Sequence, residues 1–399
     1  MKFTVKKIAC LIAVLTTVSI FTGCFKEEMG NKKSEKGLEV SKVETNGTSS
    51  SDGRYKDEFL ENMKVDAIIK STDKSSAQVL SGIAQKFNLE NVVKTVMGET
   101  KIEIENEHSN IRSGKCSGKK VFTDEYGSFY VRSKVFDTIG LVATDLIGHN
   151  QIQRPDKEVF KNKDLDFMSS GDAVKQCKKA MEELNILYVE NPEVYALDYE
   201  NLQKKYDEAM KDDGIKELIQ RGKFYVKEKW GKEDEGYYIV FKTKLADIPV
   251  ASVGYEDKKT SYSVEGSEIV FWINKDGVDS VKTNYRIYEE TGKQGEIKNL
   301  ITTKEALEKL KNKYKDIILT SENIVEEISL EYIPCIKETQ TIEDGEIVIT
   351  QYNFKPAWRF KIKTIFKNDE KKQQSKGIQG PTFQYIFENV DAITGEFIE

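Results

Sequence analysis

The sequence predicts an α+β fold, with an N-terminal α+β domain followed by two modules that are each an antiparallel sheet covered by a helix. Two observations predict the modules. Residues 169–174 and 302–307 share one helix-start pattern at an offset of 133 residues (169 to 302), and segments of β type follow each. Hydrophobic residues make up 38% of the 399-residue chain, which is enough to supply several cores.

The first residues have the pattern of an export signal. Lys2, Lys6 and Lys7 precede an uncharged apolar run, residues 8–20, that is too short to span a bilayer comfortably. The tetrapeptide that follows, Phe-Thr-Gly-Cys at 21–24, resembles the lipobox of bacterial lipoproteins. The resemblance implies lipidation of Cys24, a palmitate-type membrane anchor and a location on the extracytoplasmic face of the cell membrane. The alternative is an ordinary secretory signal with an incidental cysteine.

Composition divides the chain into five predicted segments. Residues 1–23 form the signal peptide. Residues 24–57, rich in Lys, Glu, Ser, Gly and Asn, form a flexible tether because they contain too little apolar surface to fold. The folded part comprises an N-terminal α+β domain at 58–160, a first module with an inserted helix at 161–299, and a second module at 300–399.

Within the N-terminal domain, apolar spacing predicts helices at 77–87 and 89–97. Alternation of Ile102 and Ile104 with glutamates predicts a half-buried strand. Residues 119–123 and 128–133 read as a hairpin closed by a turn at 125–127.

Each predicted module begins with a capped helix. Ser169 with Asp172, and Thr302 with Glu305, place an N-cap residue three positions before an acid, which satisfies free N–H groups and complements the helix dipole. In the first module a further helix is predicted at 197–219, as a packing element. The predicted strands are 237–245, 248–253, 268–274 and 278–288 in the first module, and 324–333, 346–353, 357–366 and 383–390 in the second.

Three motifs of the second module resemble a known family. Thr-Lys-Glu-Ala at 303–306, Pro-Ala-Trp-Arg-Phe at 356–360 and Asn-Val-Asp-Ala-Ile-Thr-Gly-Glu at 389–396 look like PepSY-type modules, in the order also found in the extracytoplasmic YycI-type regulators of Gram-positive bacteria. The N-terminal part is similar to uncharacterised clostridial lipoproteins. The resemblance implies a fold and supplies no catalytic residue. The chain departs from the YycI pattern in having a lipobox where that family has a transmembrane helix.

No motif of catalytic chemistry occurs. A Ser/His/Asp order, an HExxH, a glycine-rich phosphate loop and a CxxC are all missing, so the sequence predicts no enzyme, no cofactor and no metal site. The net charge of −6 and the lack of a basic stripe argue against a nucleic-acid partner. Paired acids such as Glu326 and Glu327 are interpreted as solvated faces.

Trp358 and Arg359 are the candidate recognition residues. In a strand, Trp358, Phe360 and Ile362 share one face, while Ala357, Arg359 and Lys361 share the other. This pattern favours a sheet that is covered on one side, with Trp358 as a core residue rather than a ligand-stacking one.

The leading hypothesis is a membrane-anchored, non-catalytic binding or regulatory lipoprotein whose partner is another extracytoplasmic protein. A substrate-binding lipoprotein of a transporter is the first alternative. A secreted hydrolase is the second, and the lack of a nucleophile–base pair disfavours it.

Overall fold

The computed structural model describes residues 48–49, 54–70, 74–108, 110–147, 152–222, 226–342, 345, 347–366 and 382–399. The predicted signal peptide, Cys24 and most of the predicted tether lie outside the described residues. No helix in the described part of the chain is long and apolar enough to cross a membrane.

Strands dominate the described residues, which contain twenty-two strands and six α-helices. In chain order the elements are β1 (Thr48–Ser49), β2 (Arg54–Leu60), β3 (Met63–Lys70), β4 (Ser76–Ala84), α1 (Leu89–Met97), β5 (Glu103–His108), β6 (Ile111–Cys116), β7 (Lys119–Asp124), β8 (Phe129–Arg132), α2 (Lys134–Val142), β9 (Thr144–Ile147), β10 (Ile152–Pro155), α3 (Ser170–Glu183), β11 (Glu193–Leu197), α4 (Tyr199–Ala209), α5 (Asp213–Gln220), β12 (Gly236–Lys242), β13 (Lys244–Leu245), β14 (Ile248–Pro249), β15 (Tyr255–Asp257), β16 (Tyr262–Val264), β17 (Ser267–Asn274), β18 (Gly277–Tyr285), β19 (Tyr288–Asn299), α6 (Thr303–Tyr314), β20 (Glu322–Thr341), β21 (Ile347–Phe366) and β22 (Thr382–Asp391).

Sheet 1 joins strands from distant parts of the chain. Its order is β1-β2-β3-β20-β21-β4-β19, and β22 pairs with the C-terminal half of β21 beyond the short β4 contact. All pairs are antiparallel except β3 with β20, which run parallel. One face of the sheet carries the apolar core on which α6 packs, and the buried α6 residues there are Ala306, Leu307 and Leu310.

Sheet 2 is antiparallel throughout, in the order β11-β12-β17-β18-β8-β7-β6-β5. Its central strands β12 and β17 are buried along almost their whole length because apolar clusters cover both faces. Residues of α1 and α3 contribute to the cluster on one face, and residues of α2 and α4 to the cluster on the other. Burial on both faces explains the nearly continuous apolar runs of these two strands.

The two capped helices begin where the sequence predicts. The Ser169 hydroxyl accepts the N–H of Asp172 at 3.1 Å, and the Thr302 hydroxyl accepts the N–H of Glu305 at 3.2 Å. Each helix is followed by three strands that are neighbours in a sheet in chain order, β11-β12-β17 after α3 and β20-β21-β22 after α6.

The predicted α+β fold class, with two self-contained helix-covered PepSY-like modules, is nevertheless wrong. The structure is mostly β, and most of its described strands lie in two eight-stranded sheets arranged like a β-sandwich. β20 pairs with β3, and β21 with β4, so the sheet of the second module continues into residues assigned to the N-terminal domain. Sheet 2 likewise takes β5–β8 from that domain. The predicted boundaries at 160 and 299 therefore do not separate one sheet from the other.

Two local predictions also fail. Residues 77–87, predicted as a helix, contain β4, whose partners β21 and β19 lie far along the chain. Backbones approach closely there: a Cβ added at Gly82 would lie 2.5 Å from the carbonyl oxygen of Glu289. The helix predicted at 197–219 is two helices, α4 and α5. Asp212 interrupts it because its carboxylate accepts the N–H groups of Gly214 and Ile215 and starts α5.

Candidate functional site

A cleft of about 620 Å³ lies between the face of sheet 1 opposite α6 and the β9–β12 region of the chain. Sheet 1 supplies its wall from β3, β20, β21 and β22, and the other side comes from β9, β10, β11 and the end of β12. The residues that carry charge or an aromatic ring in its lining are Lys70, Asp145, Arg154, Asp156, Lys157, Glu193, Tyr195, Lys242, Glu326, Glu327, Glu331, Arg359, Lys361, Phe383, Tyr385 and Phe387.

The sheet 1 wall follows from the alternation of side chains along β21. Trp358 and Phe360 point to the α6 side and are buried there. Arg359 and Lys361, which alternate with them, point to the cleft. Successive side chains of β21 thus point alternately to the apolar core and to the charged surface of the cleft.

Three cations of β21 each lie beside an aromatic ring of β22. The Arg359 guanidinium lies 4.4 Å from the ring centroid of Phe387, and the Lys361 ammonium lies 4.0 Å from that of Tyr385. Lys363 and Phe383 repeat the contact at 4.4 Å. These cation–π contacts stabilise the positive charges and hold each head group at a ring face.

The three β20 carboxylates that line the cleft each have a lysine partner. The ion pairs are Glu326 with Lys363 at 3.7 Å, Glu327 with Lys70 at 2.8 Å, and Glu331 with Lys242 at 2.6 Å. Glu331 is almost completely buried. Burial disfavours its charge, but Lys242 and Arg359 outweigh that effect and lower the pKa of Glu331.

Arg359 and Lys361 are less fully paired. Among the described residues Arg359 donates one hydrogen bond, to the carbonyl oxygen of Val253 at 2.7 Å. Its Nε lies 3.7 Å from Glu331 Oε2, while Lys242 binds the other oxygen of that carboxylate, Oε1, at 2.6 Å. No described carboxylate lies within 4.0 Å of the Lys361 ammonium. Burial lowers the pKa of both cations. Arg359 therefore shares the Glu331 carboxylate with Lys242, and Lys361 has no carboxylate partner among the described residues.

The segment at 250–253 brings a hydroxyl to the same wall. The Ala251 N–H donates to Tyr332 of β20, and the Ala251 carbonyl accepts the N–H of Ser267 of β17, so both sheets hold the segment. Close packing fixes it further, since a Cβ at Gly266 would lie 2.2 Å from the Ser252 carbonyl oxygen. Ser252 is 8% exposed, and its hydroxyl has no hydrogen-bond partner among the described residues.

On the opposite side of the cleft, one arginine is neutralised by two glutamates, and two further carboxylates lie nearby. Arg154 binds Glu268 through both terminal nitrogens, at 3.0 and 2.5 Å, and Glu193 through Nε at 3.0 Å. Burial disfavours the charge on Glu193, but Arg154 outweighs it and lowers the pKa of Glu193 to about 2. Asp145 and Asp156 add two further carboxylates to this side.

The two candidate recognition residues lie on opposite faces of sheet 1. Trp358 is 5% exposed in the core, and its indole N–H donates to the Ile301 carbonyl at 2.8 Å. Arg359 lines the cleft. Glu326 and Glu327, interpreted as a solvated face, line the cleft as well.

Sequence reasoning missed Ser252, Lys242, Glu331 and the aromatic residues of β22 as parts of one site. The alternation in 357–362 was the available signal, because a charged strand face beside an apolar one can line a cleft as well as face solvent. Strands that are distant in sequence pair with one another and so bring this charged face opposite the other wall of the cleft.

The cleft lining brings together charged side chains, aromatic rings and one hydroxyl. Within the described ranges, no group of three or more His, Cys, Asp or Glu side chains is placed to hold a metal ion. The Ser252 hydroxyl contacts no base, so nothing described there activates it as a nucleophile.

Comparisons with known proteins show a shared fold. No family model matches the chain, and no curated protein matches it. The crystal structure of an uncharacterized protein from Eubacterium rectale is similar, with a TM-score of 0.64 and 18% sequence identity over 87% of this chain and 93% of that chain. The predicted resemblance to PepSY-type and YycI-type proteins gains no support from these comparisons. This chain is thus similar in fold to the uncharacterized protein from Eubacterium rectale.

Proposed function

We propose that this chain is a non-catalytic binding protein, held at the extracytoplasmic face of the cell membrane by a lipid on Cys24, that takes a segment of another envelope protein into the cleft. The observation that carries the binding role is the cleft wall of sheet 1. It combines three exposed or half-buried aromatic rings with two incompletely paired cations and an unbonded hydroxyl. Such a mixture of apolar surface and convergent polar groups is typical of ligand sites.

An extended peptide segment suits this wall. Phe383, Tyr385 and Phe387 occupy alternate positions of β22 and form a row along the strand. Aromatic rings in a row offer contacts to successive side chains of an extended ligand, while the charged groups beside them set its direction.

Site-specific photocrosslinking tests the proposal. A photoreactive phenylalanine analogue at Phe383, which is 47% exposed in the cleft, should form an adduct with one protein in the cells that produce this chain. The same analogue at Ile318, which is 91% exposed between α6 and β20, is the matched control and should not form that adduct.

The captured protein must then bind the purified full-length chain, and the Phe383→Ala/Tyr385→Ala variant must lose that binding. Equal adducts at both positions, or undiminished binding by the variant, would reject the cleft as the site.

A small ligand is the second candidate, as in a substrate-binding lipoprotein of a transporter. The cleft volume of about 620 Å³ favours it, because small-molecule sites commonly measure about 300–1,000 Å³. A thermal-shift screen separates the candidates: stabilisation by a metabolite with no photoadduct at Phe383 supports the small ligand.

A further inference from the structure

One corner of the cleft has hydrogen-bond donors without matching acceptors. Ser252, Arg359 and Lys361 all line it, and Arg359 is tied to the Ser252 segment through its bond to the Val253 carbonyl. An arginine has five N–H donors and a lysine has three. The described contacts use one of the arginine donors in a hydrogen bond and none of the lysine donors.

Leaving such groups unpaired is costly. A buried hydroxyl without a partner and desolvated cations without a counter-charge both destabilise the folded state. An oxyanion placed in this corner would supply negative charge to the two cations and an acceptor for donors that the described contacts leave unused. The unbonded Ser252 hydroxyl and the two cations therefore point to the same kind of ligand atom.

The other charges of the cleft confine an anion to this corner. The three β20 carboxylates are occupied by Lys363, Lys70 and Lys242, so those lysines are already neutralised. On the opposite side, Asp145 and Asp156 would repel a negative group, and the cation beside them, Lys157, is exposed to solvent. An anion is stabilised less by a solvated charge than by the more deeply buried charges of Arg359 and Lys361, so the negative end of a ligand is placed against those two residues.

We propose that Ser252, Arg359 and Lys361 form a carboxylate subsite, which binds the C-terminal carboxylate of a peptide whose preceding side chains lie along Phe383, Tyr385 and Phe387. This inference rests on the proposed function, because it assumes that the cleft binds a peptide. A chain terminus matches the site, since it presents two oxygens at the end of an extended segment.

The test uses two mixtures of random tetrapeptides, one with free C-terminal carboxylates and one with C-terminal amides. Full-length protein purified in detergent is incubated with each mixture, and the retained peptides are measured by mass spectrometry. Free-acid peptides should be retained and their amides should not.

The most enriched peptide is then titrated against variants. Lys361→Gln and Ser252→Ala should each weaken binding of the free acid, Lys361→Gln by about tenfold or more, which is the loss of one charge-assisted hydrogen bond. Lys304→Gln on α6, on the other face of sheet 1, is the matched control and should bind as the wild type does. Thermal denaturation of each variant checks that it is folded.

The outcomes separate the two proposals. Equal retention of acids and amides would overturn the carboxylate subsite and leave the peptide-binding role standing. Retention of neither mixture would overturn both. Free-acid binding that Lys361→Gln leaves unchanged would overturn the assignment of this corner.

Discussion

Trp358 and Arg359 are neighbours in sequence, yet their side chains lie on opposite faces of sheet 1. The indole fills the core under α6 and bonds to the Ile301 carbonyl, while the guanidinium lies at the cleft beside Phe387. Substitutions at these two positions should therefore separate stability from binding.

Trp358→Ala should lower the free energy of unfolding by about 3–5 kcal/mol, the usual cost of deleting a large buried aromatic side chain. Denaturation in urea measures the change. Trp358→Phe, which keeps one ring and loses the hydrogen bond, should cost less. A loss below about 1 kcal/mol for Trp358→Ala is typical of surface positions and would contradict the core role.

Glu331→Gln should destabilise the protein near neutral pH, because it leaves the charges of Lys242 and Arg359 without their shared carboxylate. The cost should be at most about 3 kcal/mol, since Lys242 keeps 30% of its side-chain exposure. Folding lowers the pKa of Glu331 below its ordinary value of 4.5. Its contribution is therefore present above that pH and is lost as the pH falls below it.

Urea denaturation of wild type and Glu331→Gln at pH 7 and at several values below 4.5 checks this sign. The stability difference should shrink in acid. A difference that stays constant or grows would show that the carboxylate is not ionised in the folded state. Glu326→Gln, whose lysine partner is 3.7 Å away at a more exposed position, is the control and should have a small effect.

At the scale of the element, the N-cap of α6 should contribute measurably to the free energy of unfolding. Thr302→Ala removes the hydroxyl that accepts the Glu305 N–H, and should cost about 1 kcal/mol. Thr303→Ala, one position later and inside the helix, changes no cap and should be nearly neutral. Equal effects of the two substitutions, measured by urea denaturation, would mean that the cap is not what stabilises this helix end.

The same helices show which elements sequence reasoning could predict. α3 and α6 are found where predicted because the residues that form their caps and apolar faces lie close together in the sequence. β4 was mistaken for a helix because the local spacing of Val79, Leu80 and Ile83 resembles a helical face. Its pairing with β21 and β19 overrides that local preference, and these partners lie more than a hundred residues away.

The candidate site was harder to predict for a related reason. The alternation of Arg359 and Lys361 with apolar neighbours identified the charged face correctly. The residues that turn this face into a cleft belong to other elements, Ser252 to a connecting segment and Tyr385 to the next strand. Nothing local to either residue shows that both face the same space.

At the scale of the whole molecule, the proposed lipid anchor on Cys24 would hold the cleft at the membrane surface. We expect Cys24→Ala to release the chain from the membrane or to leave an uncleaved precursor, because the substitution removes the thiol that would carry the lipid. Membrane fractionation and immunoblotting measure the distribution and the size of the chain. Normal processing with unchanged membrane retention would refute the lipoprotein hypothesis. Cys335→Ala, in the folded part, is the control and should not alter the distribution.

Both eight-stranded sheets take strands from residues that the sequence assigned to different domains. Sheet 1 combines β2–β4 with β19–β22, and sheet 2 combines β5–β8 with β11, β12, β17 and β18. Each wall of the cleft therefore depends on elements along most of the described chain. A fragment that ends before β20 would lack the strand between β3 and β21, and with it the carboxylates that pair Lys70 and Lys242.

The parallel pairing of β3 with β20 also sets the order in which the chain can fold. Met63 meets Asn323, so the loop between them must close before the centre of sheet 1 exists, and long-range closure of this kind slows folding. Until residues 322–341 emerge and dock, β3 has an unpaired edge, which is the kind of surface through which unfinished chains aggregate. A cell that makes this protein must keep its early strands from pairing with other chains until the late strands arrive.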